Sequence, residues 1–153
     1  MLDHMRRLLP ALIFLVCGIA GVAAKEPDRE FLVGFLTGDY VVVGKKPDSD
    51  ETYQGRVTLR PRELEFDVTR VIAGKTEQGT AWFDTTGKPD HIPVLRMRFT
   101  QDGKSYDATY VWRGDLDNYG RITGYVFLPK PGATKSPGLE ALFPLEPLTP
   151  PNP

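Results

Sequence analysis

The stretch Val94-Leu95-Arg96-Met97-Arg98-Phe99-Thr100-Gln101-Asp102-Gly103-Lys104-Ser105-Tyr106-Asp107-Ala108-Thr109-Tyr110-Val111-Trp112-Arg113 decides the fold. Asp102-Gly103 suits a two-residue hairpin turn because both positions tolerate positive φ, and apolar residues alternate with polar ones on either side of it. Pairing outward from that turn sets Phe99 against Tyr106, Met97 against Ala108 and Leu95 against Tyr110 on one face. Arg98 then meets Asp107 on the other face. Hydrophobic pattern, turn chemistry and charge agree on one antiparallel hairpin.

The same punctuation continues along the chain. A second turn is predicted at Arg60-Pro61-Arg62-Glu63, with proline at the second position of a type I turn, so that Leu59 faces Leu64, Val57 faces Phe66 and Arg56 meets Asp67. A third is predicted at Gly74-Lys75, where a leading glycine fits type II′ and sets Phe66 against Phe83, Val68 against Ala81 and Arg70 against Gly79. Strands near 37–44 and 121–128 bring the number to about seven or eight. Sequential hairpins with no helix between them make an all-β, antiparallel up-and-down meander. Closing it into a small barrel removes the exposed edges, which favours a barrel over a two-sheet sandwich.

The ends of the chain read differently. Arg6 and Arg7, the apolar run over 8–20 and the small-residue ending Val22-Ala23-Ala24 have the order of an export signal over residues 1–24. The stretch from Leu8 to Ala24 is broken by Pro10, Gly18 and Gly21 and is slightly short for a membrane span, so no stable span is expected after cleavage. A periplasmic or secreted location follows. Residues 25–128 are assigned to the barrel domain and 129–153 to a proline-rich tail. In that tail Gly138-Leu139-Glu140-Ala141-Leu142-Phe143 is expected to form a short helical turn, either plugging a barrel end or docking on an envelope protein partner.

Cleavage also removes the single cysteine, Cys17, and one of the two histidines, His4. The remaining domain has no disulfide to stabilise it and depends on a packed core. His91 alone makes no triad, and without cysteine the usual zinc sites are excluded. Asp115-Leu116-Asp117-Asn118-Tyr119-Gly120 spaces oxygen ligands like a calcium loop but lacks its closing glutamate; it reads as a polar turn. Asp48, Asp50 and Glu51 read as a solvated charge cluster. The expectation is therefore a protein that is not an enzyme and has no catalytic residue, metal or cofactor. A formal charge of −1 gives no general attraction to nucleic acid.

Alternation places Tyr53, Val57, Leu59, Phe66, Val68, Phe83, Met97, Phe99, Tyr106, Tyr110 and Trp112 inward, relieved by Gly55, Gly79, Ala81 and Ala108. Either these side chains fill the interior, or Tyr53, Tyr110 and Trp112 turn polar tips toward a small hydrophobic ligand near a barrel end. Arg70 is also inward by alternation. A guanidinium there needs a carboxylate, carbonyls, water or a bound anion, unless it reaches solvent at the rim or a bulge turns Val71 inward instead. Tyr53, Arg70, Tyr110 and Trp112 are accordingly the candidate ligand-binding residues.

Phe31-Leu32-Val33-Gly34-Phe35-Leu36-Thr37-Gly38-Asp39-Tyr40 resembles the opening of the calycin proteins, which include lipocalins, fatty-acid-binding proteins and avidins. In that superfamily a Gly-x-Trp element begins the first barrel strand and a basic residue from the last strand packs over the tryptophan. Leu36 stands at the tryptophan position here, and Arg121 at the place of the basic residue. The resemblance implies a calycin-like barrel over residues 31–128 and a binding protein for a small hydrophobic or amphiphilic molecule, with an acidic amphiphile at Arg70. The alternative is a filled β-scaffold that acts through its surface as a protein-interaction or inhibitor module in the envelope.

Overall fold

A computed structural model describes residues 28–87, 91–112 and 121–146. The expected export signal at 1–24 and the polar turn at 115–120 lie outside the described residues. The element order is α1 (Arg29–Leu36), β1 (Gly38–Lys45), β2 (Thr52–Arg62), β3 (Glu65–Ile72), β4 (Lys75–Thr86), β5 (Ile92–Gln101), β6 (Lys104–Val111), β7 (Ile122–Phe127) and β8 (Gly138–Pro144). Each strand pairs antiparallel with the next, and β8 returns to β1, so the eight-stranded meander is a closed barrel. Closure gives every strand a neighbour on both sides.

The turn at Asp102-Gly103 forms as expected, with φ of 51° and 72°, and the β5–β6 register matches the predicted pairs. Two other turns move. The β2–β3 turn is at Glu63-Leu64, with Glu63 at φ 55°, and Pro61 lies within β2 opposite Phe66. The pairing of β2 with β1 ends at Leu59, so Pro61 occupies an edge stretch where its missing N–H costs no ladder bond on that side. A type I turn at Pro61 would have splayed strands whose twist favours primed turns. The β3–β4 turn is at Ala73-Gly74, with both residues at positive φ, rather than at Gly74-Lys75.

Leu59 therefore faces Val68 and Val57 faces Arg70, while Arg70 has Glu77 rather than Gly79 across the β3–β4 ladder. Both displacements move partners by an even number of residues, so no side chain changes face. The inward set survives: Val57, Leu59, Phe66, Val68, Ala81, Met97, Phe99, Ala108 and Tyr110 are buried in one cluster, with Tyr53, Phe83, Tyr106 and Trp112 packed against it.

Two elements depart from expectation. Residues 29–36 form a helix rather than the start of a strand, because Leu32, Val33 and Leu36 share one face and bury together. Asp28 caps it by accepting from the Glu30 N–H, and Thr37 ends it on the Val33 carbonyl. Gly34 and Leu36, compared above with the Gly-x-Trp strand element, thus lie in α1, and Arg121 is exposed just before β7. Tyr40 ties the helix to β1 through a bond from its hydroxyl to the Leu36 carbonyl at 2.8 Å. The second departure is Gly138–Pro144. Gly138, Glu140 and Leu142 point inward and Leu139 and Phe143 outward, which is the period of a strand rather than a helical turn. The barrel therefore runs past residue 128.

A chain ending at Leu128 would expose the facing edges of β1 and β7. It is expected to lose the cooperative thermal transition, followed by circular dichroism, which the full-length protein displays.

Candidate functional site

One inward row crosses five strands. The registers align Tyr53 on β2, Gly44 on β1, Glu140 on β8, Gly124 on β7 and Tyr110 on β6. The two glycines let the tyrosines reach over their strands to the same carboxylate. A Cβ at Gly44 would lie 2.7 Å from the Tyr53 hydroxyl oxygen, and one at Gly124 would lie 2.7 Å from the Tyr110 ring. Tyr53 donates its hydroxyl to Glu140 Oε1 and Tyr110 donates to Oε2.

Arg70 reaches the same carboxylate from β3. Its Nη2 donates to Glu140 Oε1 at 2.5 Å and its Nη1 to Oε2 at 3.3 Å, a two-pronged ion pair with Arg70 1% and Glu140 3% exposed. The guanidinium carbon stands 3.8 Å from the centre of the Phe99 ring, and Nη2 also points to Gln101 Oε1 at 3.4 Å. Four donors occupy the lone-pair positions of Glu140. Burial works against the charge on Arg70, but the adjacent carboxylate outweighs it and holds the guanidinium above its ordinary pKa. Burial, and after it the negative charge of Glu140, raises both Tyr110 and Tyr53 well above the usual phenol range.

This network answers the question that an inward Arg70 raised. Of the partners that a buried guanidinium can take, the structure supplies a carboxylate, and the counter-ion is internal. Glu140 is absent from the sequence candidates, because residues 138–143 read as a helical turn. The alternation of Gly138, Glu140 and Leu142, together with the need of Arg70 for a carboxylate, was the signal available. Trp112 is not part of the cluster. It packs edge-on against Phe83 at 5.7 Å, and Phe83 packs likewise against Phe66, at the end of the barrel where α1 lies.

The other end opens. A cavity of about 660 Å³ begins at Tyr53, Arg70 and Gln101, rises past Ile72, Ala73 and Glu77 and spreads over the rim to Val43 and Gln54 on the outer side. Its rim is tied across loops: Lys46 pairs with Glu51 at 2.6 Å and lies 3.6 Å from Asp102, and Lys75 pairs with Asp102 at 2.6 Å. Of the acids expected to form a solvated cluster, Asp48 instead clamps the β7–β8 connection, accepting from the Lys135 and Ser136 N–H groups at 2.9 and 2.7 Å. His91 is exposed. Among the described residues no three His, Cys, Asp or Glu side chains gather as metal ligands, and no helix is long and apolar enough to cross a membrane.

Truncating Glu140 to Ala strands a buried guanidinium and is expected to cost about 3–5 kcal/mol in denaturant unfolding. The double change Arg70→Met with Glu140→Leu is expected to recover most of that loss, which a double-mutant cycle measures. A phenol whose pKa is raised by folding keeps its stabilising share below the unfolded value near 10 and loses it as pH climbs toward the folded value. Tyr53, Tyr110 and the buried Tyr40, also raised by burial, are therefore expected to stay protonated at the pH where an unperturbed phenol ionises, and to titrate only as the barrel unfolds. Phenolate absorbance and near-ultraviolet circular dichroism followed together check this.

The sequence matches no protein-family model and no curated protein, so the functional reading rests on the fold and on this geometry.

Proposed function

We propose that the chain is an exported, non-enzymatic binding protein that holds a small amphiphilic molecule in the open mouth of its barrel. The observation that carries this reading is the cavity of about 660 Å³ above Tyr53, Arg70 and Gln101. Its size falls within the range of about 300–1,000 Å³ typical of ligand pockets. Below the floor, Leu59, Phe66, Met97 and Leu142 are fully buried and occupy the interior, so the ligand belongs at the mouth rather than along the axis. The Arg70–Glu140 network makes that floor rigid before anything binds, which lowers the ordering cost of association. A meander with an opening at one end is also the arrangement that the calycin resemblance implies, and the residue pattern over 1–24 supports export.

A second reading has its own support. The outer faces of β7, β8 and β1 carry Tyr125, Phe127, Leu139, Phe143 and Val43, all exposed, with Ala141 between Val43 and Thr123 in register. The wall from β2 to β6 instead carries ion pairs, including Arg62–Asp67 at 3.1 Å, Arg96–Asp84 at 3.1 Å and Arg98–Asp107 at 2.6 Å. Contiguous apolar surface of this kind often marks docking sites, which suits a filled scaffold acting through its outer face on an envelope partner.

One experiment separates the two. Amide spectra recorded against a panel of small amphiphiles are expected to shift at Ile72, Ala73 and Gln101. Shifts confined to Tyr125, Leu139 and Phe143, or concentration-dependent broadening there without ligand, would favour the outer wall. No shift at Ile72, Ala73 or Gln101 with any compound would remove the mouth reading.

A further inference from the structure

The charges lining the mouth do not cancel once each pair is closed. Three cations and three carboxylates line the cavity: Lys46, Arg70 and Lys75, and Glu51, Glu77 and Asp102. Lys46 is taken by Glu51 and Lys75 by Asp102, both at 2.6 Å. Arg70 is taken from below by Glu140, which lies outside the lining. Glu77 is left over. Among the described residues it forms no ion pair; its Oε1 accepts the Asp102 backbone N–H at 2.8 Å, and its Oε2 is buried with no hydrogen-bond partner.

We propose that the mouth selects a ligand bearing an ammonium group, with Glu77 as its counter-ion and an apolar stem lying along Ile72 and Ala73. This rests on the mouth being a ligand site, and it names the ligand class. Glu77 stands opposite Arg70 across the β3–β4 ladder, so both side chains leave the same inner face beside the cavity. A protonated amine supplies three N–H donors and one positive charge, which match an oxygen without a donor on a carboxylate that acts on Lys75 from a distance but is not paired with it, Lys75 being bonded to Asp102. A ligand ammonium that reaches this carboxylate exchanges an unsatisfied oxygen for a charge-assisted bond, while the other oxygen keeps the Asp102 N–H, a change that favours the bound state. A carboxylic acid meets the opposite situation. Every cation at the mouth is already engaged, and a second negative charge near Glu77 is repelled.

The probes are n-octylammonium chloride, sodium octanoate and 1-octanol, titrated calorimetrically at pH 7 and fixed ionic strength against the full chain, with amide shifts at Ile72 and Ala73 locating the site. Octylammonium is expected to bind about tenfold more tightly than octanoate, the equivalent of one good charge-assisted contact. Glu77→Gln keeps the acceptor for the Asp102 N–H while removing the charge. It is expected to weaken octylammonium about tenfold and leave octanol unchanged, whereas Glu77→Asp keeps the preference; thermal melts of both variants confirm folding. Octanoate binding as tightly as octylammonium, or Glu77→Gln leaving octylammonium unaffected, overturns the ammonium inference while the mouth remains a site. Failure of all three probes to bind at Ile72 and Ala73 overturns both.

Discussion

A guanidinium inside a small barrel has to be met by a partner, and in this chain the partner is a carboxylate from a strand far away in sequence, Arg70 lying on β3 and Glu140 on β8. A buried pair of this kind adds little net stability over an apolar replacement, because desolvating two ions offsets most of their attraction. Its effect is on specificity. Sliding β8 by one residue would turn Glu140 outward and bring Leu139 or Ala141 against an unpaired Arg70. The ion pair therefore discriminates among registers of the last strand, and the last strand is the one that closes the barrel onto β1 and β7.

The rest of the interior is arranged around that demand. Gly44 and Gly124 flank Glu140 in register, and their missing side chains leave the space through which Tyr53 and Tyr110 donate to it. The apolar residues are segregated toward the α1 end, where Leu36 and the Phe66, Phe83 and Trp112 rings meet the base of the barrel. The polar residues are segregated toward the mouth. The barrel thus has a filled half and an open half, and the network of Arg70 and Glu140 is the boundary between them. That division explains why an aromatic interior, read from alternation alone, does not imply a central hydrophobic cavity.

Much of this was legible in the residues, and the limits have physical causes. Asp102-Gly103 encodes its turn locally, so its hairpin could be paired without tertiary information. The other two hairpins were legible in parity but not in partner, since proline and glycine admit more than one turn and only neighbouring strands decide between them. Alternation survived because burial selects the face before it selects the partner. Short apolar runs were the weak point. Residues 29–36 and 138–144 each hold too few apolar positions to separate a period of two from one of 3.6, and each was assigned the wrong type. Missing β8 hid Glu140, and without Glu140 the positive charge of Arg70 looked available to a ligand. Trp112 shares a face with Tyr53 and Tyr110 but not an end of the barrel, and alternation gives only the face.

In a closed barrel every strand has a neighbour on both sides, which leaves the mouth and the outer wall as the surfaces that the described strands present. These two surfaces share an element. On β8, Glu140 points inward to Arg70 while Leu139 and Phe143, on the opposite pleat, form part of the exposed apolar wall. The backbone that fixes the carboxylate beneath the mouth also fixes the spacing of those outward side chains. An event at the mouth that pulls Arg70 from Glu140 must either leave a charge unpaired in a low-dielectric interior or displace β8, and displacing β8 disturbs its ladders with β1 and β7 along with the wall they carry. The first course is costly and the second is cooperative. The barrel therefore resists small adjustments at this boundary.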